Sequence, residues 1–194
     1  MRWDHLFDDL AAQLEHELRA EEADLEHEEE RLRLGRLAIR DRIAALQRAA
    51  DPGARRVRYR SRSGEVHSLR PLTVGRDWMA GDLDDRSGTQ GVVPFSAIEA
   101  LLIDRAHVAE SLAASPEAPI LAARLGIAFL LRDLCRRRTP LTVETTTTSV
   151  TGTIDRVGRD HFDVAVHELD TPRRERDVDH VRVIALDQVL VLRL

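Results

Sequence analysis

An internal repeat constrains the fold of this 194-residue chain more than any other sequence feature. The tetrapeptide Val-Gly-Arg-Asp occupies residues 74–77 and returns unchanged at residues 157–160, 83 positions later. Residues 93–98 likewise correspond to residues 184–189, at an offset of 91. The eight additional residues of the second copy fit the polar stretch 168–179, because insertions collect in surface loops. The chain is therefore expected to contain two copies of one structural unit.

Each copy is predicted to form five short strands, from alternating apolar and polar residues, β-branched residues and glycine turns. The predicted strands of the first copy are residues 56–61, 65–72, 78–83, 91–95 and 98–103. Those of the second copy are residues 141–147, 149–156, 161–166, 180–184 and 188–192. Helices over residues 37–49 and 120–137 are predicted to precede the two copies. Five bent strands of this length lose their free edges when they close into a small barrel.

The predicted fold class is therefore α+β: an N-terminal amphipathic helix followed by two tandem small β-barrels, each made of a helix and then five strands. Three regions are expected. They are an acidic helical arm (1–35), a first helix and barrel (36–104), and a helical linker with a second barrel (105–194).

The N-terminal region has the pattern of a short, imperfect coiled coil. Residues 1–50 contain thirteen acidic residues and eight arginines, whereas the other 144 residues contain twenty-one of each. An isolated helix must bury its apolar seam on another chain or on the rest of its own chain. We therefore expect self-association or a protein partner at this seam, with dimerisation preferred. The predicted partner-binding residues are Trp3, Phe7, Leu10, Leu14 and Leu18.

The second copy carries a motif of known type over residues 150–162, which read V-T-G-T-I-D-R-V-G-R-D-H-F. A helix followed by five strands, with this motif across the second and third strands, resembles the Sm-like (LSm) family. The first copy matches less closely, with Ser68 where the motif glycine lies. The whole chain also resembles actinobacterial proteins that join an N-terminal helix to two such repeats. The resemblance implies RNA binding in a ring of barrels.

The resemblance also places particular residues. Asp77 and Asp160 match the strand-three aspartate of the family, and their carboxylates are expected to hydrogen-bond a turn. The internal repeat, for its part, predicts equivalent buried positions for Trp78 and Phe162 if both copies are barrels. Neither copy has the asparagine of the family's base pocket after its aromatic residue, because residues 79–80 and 163–164 read Met-Ala and Asp-Val.

Arginine clusters offer a second route to nucleic acid. Alternate residues of a strand share one face at a spacing of ~6.7 Å, close to the distance between successive phosphates. Arginine contacts to phosphate give affinity that does not depend on base sequence. The same residues also fit a solvated surface paired with acids. The predicted nucleic-acid-binding residues are Arg56, Arg58, Arg60, Arg62, Arg136, Arg137, Arg138, Arg173, Arg174 and Arg176.

Motifs for catalysis and cofactors are absent from the sequence: it has no P-loop, G-x-S-x-G, H-E-x-x-H or dinucleotide fingerprint. No enzyme activity, metal or cofactor is expected. The Glu/His cluster around His27 is interpreted as a solvated acidic face, and Cys135 as a core thiol. One cysteine permits no internal disulfide, and the N-terminus lacks the order of a signal peptide. A cytoplasmic location without membrane contact is expected.

Two functions follow from this pattern. The first is a non-enzymatic nucleic-acid-binding protein, for RNA rather than DNA, or a regulatory adaptor. The alternative is a protein-interaction scaffold that works through its N-terminal helix and binds no nucleic acid.

Overall fold

A computed structural model describes residues 3–84, 88–114, 121–168, 178 and 180–194. The chain divides into two compact units, Met1–Ala38 and Ile39–Leu194. The first unit contains helix α1 (Trp3–Gly35), where the sequence predicted a helix. Ion pairs one turn apart connect Arg19 with Glu15 and Arg33 with Glu30. Such pairs support an exposed helix by a few tenths of a kcal/mol each.

Within the described residues, the second unit contains three α-helices and ten strands. Its helices are α2 (Ile39–Arg48), α3 (Val108–Ser111) and α4 (Ile127–Arg137). Strands of the first half are β1 (Val57–Ser61), β2 (Val66–Val74), β3 (Trp78–Leu83), β4 (Gln90–Pro94) and β5 (Ile98–Leu102). Strands of the second half are β6 (Pro140–Thr145), β7 (Ser149–Val157), β8 (His161–Val166), β9 (His180–Ala185) and β10 (Val189–Arg193). Each lies within two residues of its predicted position, because strand periodicity is a local signal.

The prediction of two closed barrels is wrong. All ten strands form one antiparallel sheet in the order β5-β1-β2-β3-β4-β10-β6-β7-β8-β9. β4 pairs across the halves with β10, where Val92 lies opposite Leu192 and Gly91 opposite Arg193. The Leu194 amide also donates a hydrogen bond to the Gln90 carbonyl, at 2.9 Å. The backbone hydrogen-bonding groups at the edge of β4 are thus paired with β10 of the second half, and the first half does not close on itself.

The repeat is visible in the backbone of both halves. Each half has the same strand order, with its fifth strand beside its first. The long strands β2 and β7 carry irregularities in register at equivalent places, between Pro71 and Thr73 and between Ile154 and Arg156. The two Val-Gly-Arg-Asp segments form equivalent turns, since Gly75 donates to the Trp78 carbonyl and Gly158 to the His161 carbonyl, both at 2.8 Å.

That register corrects one predicted equivalence. Val74 pairs with Met79, and Val157 pairs with Phe162. The counterpart of Phe162 is therefore Met79, and the counterpart of Trp78 is His161. The sequence prediction matched the aromatic residues Trp78 and Phe162, and this match is wrong by one residue. The buried position that Phe162 occupies in the second half holds Met79 in the first.

Two hydrophobic clusters form the core, one for each half. α2 covers the first cluster with Ile43 and Leu46, and α4 covers the second with Leu131 and Leu134. Residues next to the junction cross between the clusters. Trp78 and Val92 of the first half belong to the second cluster, whereas Leu190 and Val191 of the second half belong to the first. The β4–β10 junction therefore joins the halves through side chains as well as hydrogen bonds.

The helix predicted over residues 120–137 is shorter than expected. Leu121–Arg124 forms a 3-10 helix, and α4 begins only at Ile127. Gly126 separates them at a point where the first half approaches closely. A Cβ atom on Gly126 would lie 2.4 Å from the Arg76 guanidinium. The predicted helix is thus interrupted at Gly126, where the two halves pack against each other.

Candidate interaction surfaces

The arginine row of β1 has the predicted alternation. Val57, Tyr59 and Ser61 are buried, while Arg58 and Arg60 are exposed between them. β1 lies inside the sheet between β5 and β2, so the row runs across the outer face and not along an edge.

Each arginine of this row has a partner within the protein. Arg56 pairs with Asp84 at 3.0 Å and Arg58 with Asp104 at 3.8 Å. Arg60 donates to the Gly64 carbonyl, and Arg62 donates to the Asp187 carbonyl. Exposed ion pairs are worth ~0–1 kcal/mol, so a phosphate would compete with them at small cost.

The second predicted cluster lies at the C-terminal end of α4. Asp133 accepts from Arg136 and Arg137, each at 2.6 Å, and the hydrogen bond from Arg136 is the main cause that lowers the pKa of Asp133. Arg138 ends the helix with a positive φ of 54° and pairs with Asp155 at 2.6 Å. The third cluster, Arg173, Arg174 and Arg176, lies outside the described residues.

A stripe of exposed leucines runs along α1. Leu14, Leu18, Leu25 and Leu32 are each between 49% and 65% exposed. We call these four residues the leucine stripe. Leu14 and Leu18 belong to the predicted seam, whereas the side chains of Trp3, Phe7 and Leu10 lie outside the described part of the structure.

The two Val-Gly-Arg-Asp turns differ in what they contact. The Asp77 carboxylate accepts a hydrogen bond from the Ile127 amide at 2.7 Å, at the start of α4. The Trp78 indole donates to the Leu125 carbonyl at 3.0 Å. Asp77 therefore caps a helix of the other half, whereas the sequence predicted a hydrogen bond to a turn. Sequence spacing gave no sign of this contact across 50 residues.

In the second turn the equivalent side chains face solvent. The Asp160 carboxylate is 86% exposed, and its described contact is with the neighbouring His161 ring at 2.8 Å. This hydrogen bond lowers the pKa of Asp160. The turn itself is intact, because the Asp160 carbonyl accepts from Leu186 just as the Asp77 carbonyl accepts from Phe95.

The two outer strands of the sheet form a further candidate surface, which the sequence reasoning missed. Among the described strands, β5 and β9 each pair on one side only. Val183 of β9 is 63% exposed, whereas its counterpart Val92 of β4 is 2% exposed. Val92 lies opposite Leu192 of β10 and packs in the second hydrophobic cluster, whereas no described strand pairs with the outer side of β9.

The described residues contain no group of three or more His, Cys, Asp or Glu side chains placed to hold a metal ion. Cys135 is half-buried on α4, where its thiol donates to the Asp155 carbonyl at 3.3 Å.

Within the described residues, no helix is long and apolar enough to cross a membrane.

Comparison with protein-family models, with curated proteins and with solved structures finds no match to this chain. The resemblance to the Sm-like family therefore stays a prediction, as does the absence of enzyme activity.

Proposed function

We propose that this protein is a non-enzymatic interaction scaffold whose helix α1 binds a positively charged protein partner. The observation that carries the proposal is the leucine stripe, which is exposed on a strongly acidic helix. The stripe leucines follow one another by four, seven and seven residues. At 3.6 residues per turn they lie within about 40° of one another, so one partner surface would cover all of them.

Burial of the stripe supplies the driving force. Moving one leucine side chain fully out of water is worth roughly 1.5–3 kcal/mol. The stripe leucines keep about half or more of their surface in water. A partner that covered this face would therefore gain several kcal/mol before the entropic cost of association.

The charge of α1 favours a basic partner over a second α1. The helix contains twelve acidic residues and three arginines. Two such helices side by side would bring like charges together, which costs free energy at low salt. A partner with apolar residues flanked by Lys or Arg would instead be attracted.

A binding experiment with designed peptides tests this proposal. The probe is a synthetic amphipathic helix with leucines spaced by four and seven residues and lysines beside them, and a glutamate version is the control. Fluorescence anisotropy with the full chain should show binding of the basic peptide alone, weakening as salt rises.

Variants of the full chain locate the binding surface. Leu18→Glu with Leu25→Glu should weaken binding at least tenfold, while Ala23→Glu, on the opposite side of α1, should leave it within twofold. Failure of the basic peptide to bind, or equal losses in the two variants, would overturn the proposal.

A second candidate function is nucleic-acid binding, which the exposed alternation of Arg56, Arg58 and Arg60 favours. Replacing Arg58 and Arg60 with alanine should flatten the slope of log K against log salt by nearly two units for duplex DNA. Replacing Arg19 and Arg31 of α1 is the matched control and should leave the slope unchanged. No binding of wild-type protein to RNA or DNA at ~50 mM salt would reject this candidate.

A further inference from the structure

The turn between β1 and β2 carries an exposed serine beside two arginines. This turn spans residues 62–65, and every residue from 62 to 66 is exposed. Ser63 has Arg60 three residues before it and Arg62 directly before it. Protein kinases select their substrates partly by such charge patterns. We propose that Ser63 is phosphorylated by a serine/threonine kinase that recognises arginines, and that Arg60 then binds the phosphate.

Burial distinguishes Ser63 from the other hydroxyl residues that follow the same arginine spacing. Ser61 and Thr139 also have arginines three residues and one residue before them. Ser61 is 1% exposed, and its hydroxyl donates to the Glu65 carbonyl at 3.2 Å. Thr139 is half-buried just after the end of α4. The folded protein should therefore present Ser63 to a kinase before either of them.

The two arginines beside Ser63 donate to neutral acceptors. Arg60 donates to the Gly64 carbonyl at 3.1 Å, so its guanidinium lies at the turn itself. Arg62 donates to the Asp187 carbonyl. A phosphate on Ser63 would attract the Arg60 guanidinium more strongly than the carbonyl does, because both partners are then charged.

A kinase must open this turn, and the opening costs little. The Ser63 hydroxyl lies 2.8 Å from the Ser61 hydroxyl, and the Gly64 amide donates to the Ser61 carbonyl at 2.8 Å. Opening breaks these hydrogen bonds but uncovers no apolar core, since residues 62–66 are already exposed. Exposed turns with few buried contacts open at the low end of the local stability range.

The second half of the chain contains an internal control. Its equivalent turn, residues 146–148, consists of three exposed threonines. Both turns close with the same backbone hydrogen bond, which Ser61 donates in one half and Thr145 in the other, each at 2.8 Å. No arginine occurs in residues 141–150. If arginines direct the kinase, these threonines should stay unmodified.

The reaction takes its phosphoryl group from ATP. The Ser63 Oγ forms a bond to the γ-phosphorus, the bond from that phosphorus to the β–γ bridging oxygen breaks, and ADP leaves. The hydroxyl proton passes to a base of the kinase. The product carries a charge of about −1.5 to −2 at pH 7. A regulatory effect on nucleic acid would rest on the second candidate function, whereas the modification itself does not.

A kinase assay on the full chain tests the site. The probe is ATP with Mg²⁺ and a purified arginine-directed serine/threonine kinase that phosphorylates a synthetic peptide of residues 57–67. The peptide should be labelled at Ser61 and Ser63, because both serines are accessible there. The folded chain should be labelled at Ser63, and mass spectrometry of its fragments locates the phosphate.

Variants of the full chain test recognition by the arginines. Ser63→Ala should abolish the labelling. Arg60→Gln with Arg62→Gln should lower the rate of labelling at least tenfold, because the kinase loses both charges that it recognises. Arg56→Gln removes an exposed arginine seven residues before Ser63 and should leave the rate within twofold.

Phosphorus NMR of the labelled protein tests the contact with Arg60. The second pKa of a phosphoserine is about 6. The Arg60 guanidinium should lower this pKa in the wild-type sequence, since a nearby positive charge favours the dianion, and Arg60→Gln should raise it again. Arg70→Gln, whose guanidinium pairs with Asp82, should leave it unchanged.

Two kinds of result would overturn the proposal. The site would be wrong if the folded chain stayed unlabelled where the peptide is labelled, or if Ser61, Thr139 or residues 146–148 were labelled before Ser63. The role of Arg60 would be wrong if the phosphate titrated alike in the wild-type sequence and in Arg60→Gln. Neither result bears on the basic partner proposed for α1.

Discussion

The two halves of the sheet have the same strand order but differ in which of their surfaces are covered. In the first half, the Val-Gly-Arg-Asp turn contacts α4, and β4 pairs with β10. In the second half, the equivalent turn and strand are exposed. Val92 and Val183 illustrate the point. Both are valines at equivalent strand positions, yet Val92 is buried and Val183 is exposed. Burial within a repeat therefore depends on the neighbour as much as on the local backbone.

The largest expected difference between the halves concerns Trp78 and His161. Trp78 is buried in the second cluster and donates its indole hydrogen bond to Leu125, whereas His161 is exposed. Trp78→Ala should lower the free energy of unfolding by about 3–5 kcal/mol, because it leaves a cavity between the halves. His161→Ala should change it by less than ~0.5 kcal/mol. Urea unfolding of both variants measures the difference.

Equal effects of the two substitutions would contradict the asymmetry. A large loss in His161→Ala would mean that the second turn is covered in solution. A dependence of that loss on protein concentration would then attribute the cover to another copy.

The next difference lies inside the cores and is sensitive to pH. Tyr59, the one tyrosine of the chain, is buried in the first cluster, while Val143 occupies the equivalent position in the second. Burial, and then the Glu144 carboxylate, raise the pKa of the Tyr59 phenol. Above pH ~10 the unfolded chain loses this proton first, so the free energy of unfolding should fall by up to ~1.4 kcal/mol per pH unit.

Absorbance at 295 nm measures this titration, and the chain has no lysine to titrate in the same range. In folded protein the phenol should stay protonated at pH 10–11. Tyr59→Phe should remove the fall in stability over this range. A phenol that titrates near pH 10 in folded protein would contradict the burial of Tyr59.

Local patterns predicted the strands well but not their assembly. The alternation of apolar residues and arginines predicted β1, and the shared Val-Gly-Arg-Asp tetrapeptide predicted both turns. The β4–β10 pairing joins residues 100 positions apart, Val92 and Leu192, and no periodicity encodes such a pairing. The same limit explains why the role of Asp77 and the break at Gly126 were missed, since both depend on contact between the halves.

The sequence nevertheless contains a sign of the junction. Residues 91–95 read G-V-V-P-F, a continuous apolar run that is typical of a strand covered on both faces. In the equivalent strand β9, which reads H-V-R-V-I-A, the polar residues His180 and Arg182 interrupt the apolar run. β10 reads V-L-V-L-R, whereas β5 has Glu99 in place of a leucine. Comparing the two copies position by position would have separated the inner strands from the edges.

The smallest expected difference compares the two turn aspartates. Asp77 accepts from the Ile127 amide, so Asp77→Ala leaves that donor at the start of α4 without its partner. Loss of a helix cap costs about 0.5–2 kcal/mol. Asp77→Asn keeps an acceptor oxygen and should recover most of the loss, while Asp160→Ala should change stability by less than ~0.5 kcal/mol. Thermal unfolding at one protein concentration ranks the three variants. Hydrogen exchange sharpens the comparison: the first turn of α4 should lose protection in Asp77→Ala alone, and equal protection in Asp77→Ala and wild type would exclude a capping role.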